Sequence, residues 1–233
     1  METFVLSLGG SVFAPNGGKN QIDIQYLHKF DRFIRKQIAL KRRFFIVTGG
    51  GFTARQYRDA AQAAAGKGIT DEDLDWVGVH ATRLNAHLFR TLLRDVAYPF
   101  VLKHYEIVDK KANDYPVVMC AGWRPGWSTD YDAVVVANDY KVKTIINLSN
   151  IDQVYDKDPK KHKDAQPIKK MSWDELIKIV GSEWKPGLNA PFDPIASRIA
   201  KESKLKVIVT NGHDFRNLER ILDGKSYIGT TIE

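Results

Sequence analysis

From Thr3 the chain reads Thr-Phe-Val-Leu-Ser-Leu, a β-branched and aromatic stretch that stops at Gly9-Gly10; the pattern predicts a buried strand. Apolar residues then recur every three or four positions. Leu27, Phe30, Ile34 and Ile38, with Phe33 widening the stripe, predict an amphipathic helix over about 23–40. A second strand, 43–48, ends in Gly49-Gly50-Gly51, and an Ala-rich helix follows to about Ala65. Thr70 reads as an N-cap, with Asp71, Glu72 and Asp73 complementing the dipole of a long helix whose apolar face runs Leu74, Val77, Ala81, Leu84, Leu88 and Leu92. Further strands are predicted over 116–121, 143–148 and 206–210 and at the last residues. Helices are predicted over 130–138 and 215–222, after the capping box Ser172-x-x-Glu175 to about Val180, and after Asp193-Pro194, which sets N-cap and N1. This alternation predicts a three-layer α/β/α sandwich around a mostly parallel central sheet. The chain reads as a single domain over 1–233, with a soft division near Asp139, beyond which lysine is more frequent.

Composition narrows the class. The 233 residues, 43% hydrophobic and 27% charged, are ordinary for a soluble globular protein. The apolar runs are too short to span a bilayer, and Met-Glu-Thr-Phe-Val lacks the basic region and apolar stretch of a secretory signal. Cys120 is the one cysteine, which excludes an intrachain disulfide framework and a multi-cysteine metal centre. The expectation is a cytoplasmic protein with no membrane partner. A net charge of +7 points to an anionic partner, either nucleic acid or a phosphorylated small molecule. Part of that charge lies in 157–170, where Asp158 and Asp164 interleave with the lysines and aromatic residues are lacking; it reads as a solvated loop rather than a nucleic-acid surface.

Candidate chemistry gathers at predicted strand ends, where open α/β sheets bind ligands. Gly9-Gly10-Ser11 and Gly49-Gly50-Gly51 both stand there, and two such turns favour an anion cradle over simple tight packing. Gly49-x-Gly51-x-x-Ala54 fits the dinucleotide fingerprint only on the second strand, and no Walker-type P-loop is present. The loop Gly122-Trp123-Arg124-Pro125-Gly126-Trp127-Ser128-Thr129-Asp130 carries two tryptophans able to stack on a base or seal a lid, then hydroxyls at a helix mouth. The segment 149–159 mixes hydroxyls, amide, aromatic and carboxylates suited to a nucleoside, or to ordinary turn chemistry. The histidines lack metal-ligand spacing, and Cys120 reads as a small buried apolar residue.

Taken in order, these segments resemble the amino acid kinase family, and within it the archaeal-type uridylate kinases. The resemblance covers nearly the whole chain. It is carried by Gly9-Gly10-Ser11-Val12, Gly49-Gly50-Gly51-x-x-Ala54-Arg55-x-Tyr57 and Asp75-x-x-Gly78-x-x-x-Thr82-Arg83-x-Asn85-Ala86. Pro125-Gly126-x-Ser128-Thr129-Asp130, Asn150-x-Asp152-x-Val154-Tyr155-x-x-Asp158-Pro159, Asp193-Pro194-x-Ala196 and Gly229-Thr230-Thr231-Ile232 complete it. The resemblance implies transfer of the ATP γ-phosphoryl group to UMP, with Mg²⁺. It implies an acceptor lobe over 1–139, an ATP lobe over 140–233, and a homo-oligomer, in the family precedent a hexamer. Catalytic roles would fall to Gly10, Ser11 and Arg55. ATP would meet Gly9, Gly10, Ser11, Gly51 and Arg55, with Ser149, Asn150, Tyr155 and Asp158 at its nucleoside. UMP would meet Gly50, Asp75, Trp123, Arg124, Pro125, Gly126, Trp127, Ser128 and Thr129.

Three features depart from the family pattern. Ser7 stands where many members carry lysine, Gln153 replaces a frequent glycine, and Trp123, Arg124 and Trp127 replace smaller or imidazole side chains. The alternatives are a kinase for another phosphorylated acceptor such as isopentenyl phosphate, or a non-catalytic nucleotide-binding protein. Phe52-Thr53-Ala54-Arg55 lacks the histidine usual in the former, and Asp75 and Arg124 suggest a polar acceptor channel.

Overall fold

The computed structural model describes residues 1–15, 22–157, 159, 161–181 and 190–233. From the N-terminus β1 (Glu2–Leu8) passes through a one-turn helix α1 (Gly10–Phe13) to α2 (Ile24–Ala39), and β2 (Arg42–Thr48) runs into α3 (Gly51–Ala65). The long α4 (Asp71–Leu92) begins at Thr70, whose hydroxyl accepts the Asp73 N–H while Asp73 reaches back to the Thr70 N–H, so two orphan donors are satisfied at once. Next come β3 (Val117–Cys120), α5 (Thr129–Asp139) and β4 (Thr144–Ser149). A small antiparallel pair, β5 (Val154–Tyr155) and β6 (Pro167–Ile168), precedes β7 (Lys170–Met171), α6 (Trp173–Val180) and α7 (Pro194–Glu202). The described chain closes with β8 (Lys206–Asn211), α8 (Phe215–Leu222) and β9 (Thr230–Ile232).

The main sheet has the order β3-β2-β1-β4-β8-β9-β7. The first five strands in that order are mutually parallel, β9 runs antiparallel to β8, and β7 is parallel to β9. The expected mostly parallel sheet is therefore observed. Strand order reverses at β1, which pairs with β2 on one side and β4 on the other, so the switch point lies at the C-terminal ends of these strands.

Period-two alternation sorts the strand residues onto two cores. Phe4, Leu6 and Leu8 of β1, with Phe44 and Ile46 of β2, face Phe30, Phe89 and Leu218 from α2, α4 and α8. Val5, Phe45, Val47, Val118 and Ile145 face Ala133, Val134 and Ala137 of α5, Leu176 of α6 and Ala200 of α7. Helices thus cover both faces, as five parallel strands require. Parity also sends Ser7 toward α5, on the same face as Val5. Cys120 is fully buried in this second core, the apolar role expected of it.

The one-turn helix after Gly9 and the β5–β6 pair were absent from the predicted elements, being too short to show a period. Among the described residues no helix is long and apolar enough to cross a membrane.

Candidate active site

Beyond the C-terminal ends of β1, β2 and β4 lies one cavity of about 380 Å³. The two glycine turns form its floor. Because β1 and β2 are adjacent and in register, their turns meet backbone to backbone. A Cβ on Gly10 would stand 2.1 Å from Gly51 N, and one on Gly51, whose φ is +62°, would stand 2.6 Å from Gly10 O. These glycines are thus required first by each other, a stricter reason than the ligand approach read from sequence. The same contact brings the N-terminus of α3, with N–H groups that a helix cannot satisfy internally, to the cavity floor.

Residues of α4 hold this floor. Asn85 Nδ2 donates to Gly49 O at 2.8 Å and Gly50 O at 3.1 Å, and Thr48 Oγ1 donates to Thr82 O at 3.0 Å. Thr82 Oγ1 accepts the Gly122 N–H at 2.8 Å, while Arg83 donates to Gly122 O at 3.1 Å and Trp123 O at 2.6 Å. The motif Thr82-Arg83-x-Asn85 thereby acquires a role that its spacing alone did not reveal: it clamps the second glycine turn and the start of loop 122–129 to one helix.

That loop folds on its own aromatic stack. The Arg124 guanidinium lies 4.2 Å from the Trp123 ring and 4.4 Å from that of Trp127. The Trp123 and Trp127 rings meet edge to face at 4.8 Å, and Trp127 packs on Tyr131 at 3.9 Å. Of the loop's expected contact residues, Trp127, Ser128 and Thr129 line the cavity; Trp123, Arg124, Pro125 and Gly126 do not. The arginine is held between two tryptophans and the loop's outer half serves as its brace. Ser128 also caps α5 by accepting the Tyr131 N–H at 3.2 Å.

Asp75 joins the cavity from the first turns of α4. Its Oδ2 accepts the Gly126 N–H at 2.9 Å, which a φ of +83° at Gly126 makes possible. Burial pushes this carboxyl above the usual carboxylate range, opposed by the Gly126 N–H and the charge of Arg58. One N–H of loop 122–129 is therefore tied to a carboxylate whose other oxygen it leaves free.

Gly9, Gly10, Ser11 and Arg55 also line the cavity, with Ser149 at the end of β4, whereas Asn150 and Tyr155 do not reach it. Asp158 lies outside the described residues. The segment carrying Tyr155 is tied down by Asn211 Nδ2 to Asp152 Oδ1 at 2.8 Å and by Val154 N–H to Thr230 Oγ1 at 2.8 Å. Gln153 donates from Nε2 to Gly229 O at 3.2 Å, so the residue that replaces a frequent glycine pins this segment to the approach of β9.

Sequence reasoning missed the centre of the site. Asp130 stood in the sequence only as the last residue of the loop motif, yet its carboxylate joins three elements. Oδ1 accepts Ser7 Oγ at 2.9 Å and Asn147 Nδ2 at 3.4 Å, and Oδ2 accepts the Asp193 N–H at 3.2 Å. The signal was present: Ser7 and Asn147 are polar residues inside otherwise apolar, buried strands. Burial, then the nearby Asp193 charge, pushes the Asp130 carboxyl up to about 7, against the Ser7 hydroxyl and the Asp193 N–H. A carboxyl raised in the folded state stabilises fully below its ordinary value of 3.8, and that contribution is lost as pH rises through about 7. The melting temperature is therefore expected to decline between roughly pH 4 and pH 7, and Asp130→Asn to flatten the decline. Scanning calorimetry at stepped pH checks this; an equally steep decline in the variant would remove Asp130 as its source.

A family model described as the amino acid kinase family matches residues 2–211. The chain is 37% identical over 233 residues to a uridylate kinase of Thermoplasma volcanium, covering 100% of this chain and 98% of the relative. A uridylate kinase of Sulfurisphaera tokodaii is 35% identical, with 98% of each chain covered. The crystal structure of a uridylate kinase from Archaeoglobus fulgidus superposes with a TM-score of 0.82 at 31% identity, over 100% of both chains. With paired glycine turns at the switch point and this similarity along its whole length, the chain belongs to the amino acid kinase family.

Proposed function

We propose that this chain is a UMP kinase, transferring the γ-phosphoryl group of ATP to UMP to give UDP for pyrimidine nucleotide synthesis. The observation that carries the reading is a single cavity whose one wall holds Asp75, Trp127 and Thr129, whose other wall holds Ser11 and Ser149, and whose floor is the junction of Gly10 and Gly51. Two ligands entering from the two walls would meet with their phosphates over that floor. The uridylate kinase relatives support uridine as the acceptor base.

In this reading Gly50, Asp75 and 123–129 serve UMP within 1–139. Gly9, Gly10, Ser11, Gly51 and Arg55 serve the ATP phosphates, and Ser149, Asn150, Tyr155 and Asp158, in 140–233, its nucleoside. The acceptor phosphate is already an anion at neutral pH, so in-line transfer calls for alignment and charge neutralisation rather than a general base. Among the described residues no group of three or more His, Cys, Asp or Glu could cage a metal ion. That suits Mg²⁺ held chiefly by nucleotide phosphates. Asp130, on the cavity wall beside Ser7, is the carboxylate that would meet it; the ion would neutralise charge on the transferred group. The reading also carries a cytoplasmic location and a homo-oligomer, up to a hexamer. Tyr57 and Leu84, 66% and 62% exposed on α3 and α4, supply apolar surface for assembly, whereas the apolar stripe of α2 is buried in the core.

An acceptor screen with ATP and Mg²⁺ tests the function. UMP is expected to outpace CMP, dUMP and isopentenyl phosphate; faster transfer to any of these, or transfer to none, would overturn it. Arg55 is the cation assigned to the transferred group, since Ser7 supplies none. Arg55→Ala is expected to lower turnover at saturating ATP and UMP by at least about tenfold, roughly 1.4 kcal/mol of transition-state stabilisation. A normal turnover number would return Arg55 to a ground-state or structural role.

A further inference from the structure

The cavity is lined by a second arginine that none of the motifs includes. Arg58 lies three residues beyond Arg55 on α3, and both line the cavity. Its side chain passes over Gly78 of α4, where a Cβ would meet Arg58 Cδ at 3.9 Å. Its charge acts on Asp75, one turn earlier on α4. The guanidinium thus sits between the two helices, on the Asp75 side of the glycine junction.

Its hydrogen bonding is incomplete. Arg58 Nε is buried and, among the described residues, has no hydrogen-bond partner. Arg58 also enters none of the ion pairs among them. Burying a guanidinium N–H without an acceptor is costly, and at a cavity wall a bound anion can supply one. The planar guanidinium matches two oxygens of a phosphate. A carboxylate for hydroxyls next to a cation for an anion also mirrors a nucleoside monophosphate, whose ribose diol and phosphate are close neighbours.

We propose that Arg58 binds the phosphate of the monophosphate acceptor, leaving Arg55 to the group being transferred. This rests on the acceptor reading above and adds to it a residue that separates nucleotide from nucleoside.

The test compares UMP and uridine binding to the parent chain, Arg58→Gln and Arg58→Lys, by calorimetry for UMP and ATP and by NMR titration for uridine. Arg58→Gln is expected to weaken UMP at least about tenfold, with uridine and ATP affinities unchanged and a shallower salt dependence. Arg58→Lys should restore part of the loss. Unchanged UMP affinity in Arg58→Gln would overturn the proposal. So would equal losses for UMP and uridine, which would mean that Arg58 acts through Asp75 on the nucleoside. If the parent chain instead takes a different monophosphate in the acceptor screen, the UMP reading fails on its own, and the same comparison run with that monophosphate and its nucleoside decides on Arg58.

Discussion

Gly10→Val is expected to abolish phosphoryl transfer and to lower the melting temperature substantially. The added Cβ would lie 2.1 Å from Gly51 N, 2.6 Å from Gly51 Cα and 2.8 Å from Gly49 C. These are backbone atoms, so no side-chain rotation relieves the overlap. Asn85 holds the carbonyls of Gly49 and Gly50, which limits how far the second turn can retreat. The β1 and β2 turns would have to separate, and with them the two halves of the cavity floor. Overpacking of this kind typically costs about 1–3 kcal/mol, and a contact made wholly by backbone belongs at or above the top of that range. For a chain of this size each kcal/mol corresponds to about 2–4 °C. Activity and stability should therefore fall together, measured by UDP formation and scanning calorimetry. Near-normal turnover with an unshifted transition would mean that the two turns do not meet in this way.

Asp75→Asn should weaken UMP about ten- to hundred-fold and leave ATP affinity unchanged, the range expected for losing a charge-assisted hydrogen bond of about 1.5–3 kcal/mol. The substitution is informative because it is local. An asparagine carbonyl can still accept the Gly126 N–H that Asp75 Oδ2 takes at 2.9 Å, so loop 122–129 stays anchored while the charge is removed. Burial already holds this carboxyl above the usual range, so the parent chain should lose UMP affinity on acidification as Asp75 protonates. The variant should lack that component, which isolates it from titration of the UMP phosphate itself. Calorimetric titration at pH 8 and below checks both expectations, and unchanged UMP affinity in the variant removes Asp75 from the site.

Much of the architecture was legible along the chain because the signals that specify it are local. The repeat through Leu27, Phe30 and Ile34 reflects a helix laid on a sheet, and those side chains are buried. Thr70, Ser172 and Asp193 cap the helices that follow them, because a side-chain oxygen beside the first free N–H groups is a matter of a few residues. The glycine turns could be assigned to strand ends for the same reason, and a mostly parallel sheet followed from the alternation of elements.

Contacts between distant segments were not legible. Ser7 and Asp130 are 123 residues apart, and their bond exists because strand parity turns Ser7 toward α5 and sheet order places β1 beside β4. The clamp from Asn85 to Gly49 and Gly50 spans 35 or 36 residues and depends on where α4 crosses the end of β2. The packing of Arg124 between its two tryptophans was not legible in the spacing of the loop, and Arg58 carried no motif to mark it. Local hydrogen bonding and hydrophobic period are written within a few residues, so elements, caps and turns can be read from the chain. The assembly of the cavity rests on burial and sheet order, which bring residues from four or more elements to one point, and only folding sets which of them meet.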